Sequence, residues 1–70
     1  MTRKAKQAFI VASEALGKIQ PILGYKEPLR SLLNRNAAIR ALKANYIPSN
    51  KTNIEAFFSG VYEGYWARHA

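Results

Sequence analysis

TNIEAFFSGVYEGYW, residues 52–66, is the stretch whose reading decides the fold. Ile54, Phe57, Phe58, Val61, Tyr62, Tyr65 and Trp66 fall at i, i+3, i+4, i+7, i+8, i+11 and i+12. A helix advances about 100° per residue, so this spacing gathers all seven on one side and predicts a helix over 53–67. Five of the seven are aromatic, the side chains that remove most apolar area from water on burial. Thr52 and Glu55 stand three apart just ahead of the stripe, the spacing of a capping box, and place the start of the helix there.

Ala56, Gly60 and Gly64 recur every fourth residue beside the aromatics. Glycine inside a helix costs roughly 1 kcal/mol against alanine, so a close approach of another backbone is expected at this strip. Two occupants fit. The alanine-lined face of the first helix of the same chain is one. The other is a foreign helix, in a homodimer seam or a docked partner. In that second case Ala56, Gly60, Gly64, Tyr65 and Trp66 form a protein interface with an aromatic hot spot.

Working back toward the N-terminus, Ala5, Ala8, Phe9, Ala12, Ala15, Leu16 and Ile19 mark a second amphipathic stripe and a helix over about 3–20. Ile10 falls on its polar side. Pro21 and Gly24 bracket a connection that ends at Pro28, where proline suits a helix's first turn. From there the apolar phase changes: Leu29, Leu32 and Leu33 form one stripe, and Ile39, Leu42 and Tyr46 another. The change falls at Asn34-Arg35-Asn36, and asparagine favours caps and unusual backbone conformations. Two short helices, 28–34 and 37–45, are therefore expected, with one bent helix as the alternative. Pro48 disfavours helix at the residue before it and closes the segment. No run alternates as a strand does. The fold class is all-α, a compact single domain over 1–70 with three or four helices.

Seventy residues limit the core, and such domains often lean on a staple or a partner. The chain has no cysteine and no aspartate, one histidine (His69), and four glutamates at 14, 27, 55 and 63. Neither a disulfide nor a metal cage can be drawn from that set, so no cofactor or metal is expected. Catalysis is not expected either. His69 is a poor base for a nucleophile, Glu55 and Glu63 are two helical turns apart, and the glycines fit no phosphate-binding fingerprint. No stretch has the ~18 apolar residues of a membrane span. The basic, amphipathic start has too short an apolar run for a signal peptide and is poor in serine for a transit peptide, so a cytoplasmic protein is expected.

Charge carries the functional signal. The net charge is +7, with ten cations against two carboxylates over residues 1–51 and a slight negative excess over 52–70. A field of that sign favours polyanions. The leading expectation is a small, basic, non-enzymatic nucleic-acid-binding or regulatory protein, contacting DNA more readily than RNA. A helix-turn-helix across 28–45 would put helix 37–45 in the major groove. The contacts are then Arg35, Asn36, Arg40, Lys43 and Lys51, with Arg3, Lys4 and Lys6 as a basic arm. Arginine reads guanine, asparagine reads adenine, and lysine serves phosphates. The rival expectation is a protein-binding inhibitor or adaptor, of the small accessory kind encoded by phages and plasmids. It would dock the same basic face, or the aromatic one, on an acidic protein surface.

Overall fold

Residues 2–23 and 32–69 are described in a computed structural model of the chain, with side chains described over 2–17 and 32–65. They form three helices: α1 (Arg3–Leu23), α2 (Arg35–Ala44) and α3 (Lys51–His69). The all-α class expected from the periodicity is the class observed. Most of the expected helix 28–34 lies outside the described residues, as does the side chain of Trp66.

Each helix opens on a side-chain cap. Thr2 Oγ1 accepts from the Ala5 N–H at 3.1 Å and Asn34 Oδ1 from Ala37 N–H at 2.8 Å. At the third, Asn50 Oδ1 accepts from Asn53 N–H at 2.8 Å. Each such bond satisfies a first-turn donor that the helix itself leaves open. Asn34 holds an extended backbone, φ −139 and ψ 151, so α2 starts afresh rather than continuing from 28–34. The break expected at Asn34-Arg35-Asn36 is thus real, with Asn34 as its cap.

Boundaries move in all three helices. The aromatic helix begins at Lys51, not after a Thr52–Glu55 box. Asn50 takes the cap, and Asn53, three residues on, donates its side-chain amide to the Pro48 carbonyl at 2.7 Å. Thr52 and Glu55 are both exposed in the first turn. The second boundary is the end of α1, which runs through Pro21 to Leu23 rather than stopping at Gln20. Proline there withholds one bond, to the Gly17 carbonyl, close enough to the helix end for the last residues to stay helical. The third is α2, which runs Arg35–Ala44 rather than 37–45, and α3 itself ends at His69 rather than at 67.

The packing of α3 is rotated from the sequence reading. Ile54, Phe57, Val61 and Tyr65 are buried as expected, but so are Asn53, Ala56, Gly60 and Gly64, whereas Phe58 is half-buried and Tyr62 is exposed. The buried arc is centred between Phe57 and Gly64 and takes in all the small residues, roughly a quarter turn from the centre of the aromatic stripe at 100° per residue. The reason is α1. A Cβ added at Gly60 would run into the Phe9 carbonyl oxygen, and would sit 2.8 Å from the Ala12 Cβ. The Ser13 hydroxyl donates to the Gly60 carbonyl at 3.3 Å across the same seam. Ala5, Ala8 and Ala12 line the α1 side, each essentially inaccessible. Two helices stripped of side chains at their contact approach more closely than larger residues allow. Leu16 of α1, Leu42 of α2, and Phe57 and Val61 of α3 complete the core from all three helices. The radius of gyration, 11.0 Å, is what a packed chain of this length should have, about 11 Å.

Candidate nucleic-acid interface

The site is built on α2. Ala38 and Leu42 are fully buried and fix which side of this ten-residue helix faces the bundle. At 3.6 residues per turn, Asn36, Arg40 and Lys43 then fall within roughly 60° of one another on the opposite side. All three are exposed. Two cations and an amide form one straight outward ridge because the apolar residues between them leave no other phase open.

Both ends of the ridge are tied to neighbouring helices. At the N-terminal end Arg35 shares an open groove of about 440 Å³ with Lys51, Ile54, Glu55 and Phe58. Arg35 and Lys51 are the first residues of α2 and α3, so two helix N-termini turn their positive ends toward this region. At the C-terminal end Asn45 and Ile47 border a shallow depression with Gln7, Ile10 and Val11 of α1. Arg3, Lys4 and Lys6 lie exposed in the first turns of that helix. Every cation of the expected contact set is therefore at the surface, and Arg35, Arg40, Lys43 and Lys51 belong to α2 and the groove at its start.

The other expected set fares differently. Ala56, Gly60, Gly64 and Tyr65 are buried. At Gly60 the approaching backbone is that of α1. The strip is consumed within the chain, and these four residues present no open face to a second copy or a foreign helix. The outer shoulder of α3 is left to half-buried Phe58, edge-on to Phe57 with ring centroids 6.3 Å apart, and to exposed Tyr62.

Sequence reasoning missed Tyr46. Its spacing from Ile39 and Leu42 predicts a place in the apolar stripe, yet it is 89% exposed. α2 has already ended at this point. Asn45 is the cap residue, its side chain donating to the Ala41 carbonyl at 2.8 Å. Tyr46 then turns left-handed, φ 58. Its N–H bonds the Lys43 carbonyl at 3.1 Å, and Ile47 N–H bonds the Leu42 carbonyl at 2.9 Å. This pair of bonds normally closes around a glycine. Ile47, 4% exposed, takes the core position beside Leu42 that the helical phase had assigned to Tyr46. Pro48 two residues on was the available signal that the helix had ended. Nothing in the sequence marked a tyrosine as the left-handed residue.

Among the described residues no helix is long and apolar enough to cross a membrane, and no group of three His, Cys, Asp or Glu side chains could hold a metal ion. Comparison with protein-family models, curated proteins and solved structures finds no match to this chain.

Proposed function

We propose that this is a non-enzymatic nucleic-acid-binding protein that acts in the cytoplasm and holds its ligand, DNA more readily than RNA, along the outer ridge of α2. The observation that carries this reading is the alignment of Asn36, Arg40 and Lys43 opposite the buried Ala38 and Leu42. Arg35 and Lys51 extend the positive surface beyond the start of the ridge. Phosphate contacts from such cations supply affinity and register, while Asn36 and Arg40 have the donor geometry to read base edges. A regulatory role follows from occupancy of a nucleic-acid site without chemistry on it.

Replacing Arg40 and Lys43 together by alanine should weaken binding of labelled DNA by roughly tenfold or more at low salt, with the far-UV helix signal unchanged. Unchanged affinity in the folded double variant would sink the proposal.

A second reading is favoured by the depression formed by Gln7, Ile10, Val11, Asn45 and Ile47, where Ile10 is 47% exposed. An acidic protein segment with one large apolar side chain would fit it, making the chain an inhibitor or adaptor of the phage or plasmid accessory kind. Affinity purification distinguishes the two: a single stoichiometric protein partner, with no affinity for any oligonucleotide, supports this alternative.

A further inference from the structure

Tyr46 stands at the left-handed position that closes α2, and nothing inside the fold explains why a tyrosine occupies it. The residue is 89% exposed, so its side chain gains little from burial. Its backbone is left-handed at φ 58, and it is the only non-glycine residue with positive φ among those described. A side chain with a Cβ is disfavoured there, and glycine or asparagine is the usual occupant. The position itself is rigid. The bonds from Tyr46 and Ile47 to the Lys43 and Leu42 carbonyls, and burial of Ile47 and Leu42 beneath it, hold the turn in place. The chain therefore displays an aromatic ring from a fixed point at the foot of the basic ridge, at a cost in backbone conformation that the folded protein does not recover.

The surroundings say what the ring would meet. Lys43 is three residues before it and Arg40 six, both exposed on the ridge that ends at Tyr46. At a rise of 1.5 Å per residue, about 6 Å of helix axis separates Arg40 from Ala44, two residues before the ring's attachment. Cations alongside an accessible aromatic ring are the elements with which proteins hold single strands: the charges track phosphates, and each base offers a π-face to the ring. Duplex bases are already stacked on one another and leave no such face free. An acidic protein segment would satisfy Lys43 and Arg40 equally well and an exposed tyrosine can anchor it, so binding of a protein partner alone is among the outcomes that overturn the platform.

We infer that Tyr46 is a stacking platform for an unpaired base, and that the nucleic acid held on the α2 ridge is single-stranded or carries an unpaired base at this point. This rests on the nucleic-acid reading above and narrows its ligand class.

The test uses the full chain with a fluorescein-labelled oligo-dT and a hairpin duplex of matched phosphate number, at low salt. Tyr46→Gly and Tyr46→Asn both accept the left-handed backbone and both remove the ring. Each should lose about tenfold in affinity for the single strand, the lower part of the range that base stacking on an aromatic contributes. Their duplex affinity should not change, and the thermal midpoint of Tyr46→Gly should rise. Tyr46→Phe, which keeps the ring, should bind the single strand within about twofold of wild type. A wild-type protein that binds oligonucleotides through Arg40 and Lys43 but is indifferent to loss of the ring overturns the platform alone. A wild-type protein that binds neither oligonucleotide, or binds only a protein partner, overturns the platform together with the reading beneath it.

Discussion

At Gly60, one hydrogen atom stands where any other residue would place a methyl group against the Phe9 carbonyl and 2.8 Å from the Ala12 Cβ. Gly60→Ala would gain roughly 1 kcal/mol of helix propensity. It would lose more by forcing two backbones apart, since overpacking a close contact costs typically 1–3 kcal/mol and a carbonyl cannot rotate away as a side-chain tip can. The expected net effect is destabilisation by about 1–2 kcal/mol, read from chemical denaturation; a stabilised variant would mean that α1 does not sit on this glycine. Tyr46 is the opposite case, a residue whose side chain the fold would be better without. Relief of the left-handed strain, worth about 1–2 kcal/mol, exceeds the entropy glycine adds to the unfolded chain, so Tyr46→Gly should stabilise by roughly 0.5–1 kcal/mol. The same denaturation series measures it. Neither sign could be anticipated from residue type. Glycine within a helix signals a close approach without saying by what, and tyrosine after a helix carries no signal of left-handed backbone.

At the scale of the elements, periodicity located all three described helices because burial on one face repeats with the helical turn. It placed their ends less well, because caps are single side chains whose partners are backbone groups. TNIE reads as a capping box, but Asn50 sits two residues earlier and is at least as good a cap, and in the fold it has the role. Asn50→Ala should therefore cost about 1 kcal/mol, whereas Thr52→Ala should lie within the scatter of ordinary surface substitutions, about 0.5 kcal/mol. Equal losses in the two variants, measured by thermal unfolding, would restore the box. The rotation of α3 has a related cause. Hydrophobicity weights Tyr62 above Gly60 or Gly64, but what a helix buries is decided by how near its neighbour can come, and here the small residues win. The aromatic stripe is therefore half core and half shoulder, and of the two occupants expected at the small-residue strip it is the alanine face of α1 that sits against Gly60.

At the scale of the whole molecule, the apolar seam between α1 and α3 and the charged ridge of α2 divide the work. The first holds the bundle, and the second carries much of the exposed charge behind the proposed binding surface. The outward placement of Arg40 and Lys43 was legible in advance, because the stripe through Ile39 and Leu42 leaves them on the other side; that Arg35 and Lys51 open their helices was not, because the caps Asn34 and Asn50 start both helices two residues earlier than expected. The base-stacking role assigned to Tyr46 was not, since it depends on a backbone conformation that no pattern encodes. The central claim is that phosphates are held by this ridge and its groove, and the salt dependence of binding tests it most directly. If about four cations each displace a counterion, the logarithm of the association constant should fall linearly with the logarithm of salt concentration. The slope should be near −3, a loss of roughly sixtyfold between 50 and 200 mM, and shallower by about the two missing contacts in the Arg40→Ala, Lys43→Ala variant. Affinity that is flat across that range, or no tighter than micromolar for every DNA and RNA strand even at the lowest salt, would contradict the account.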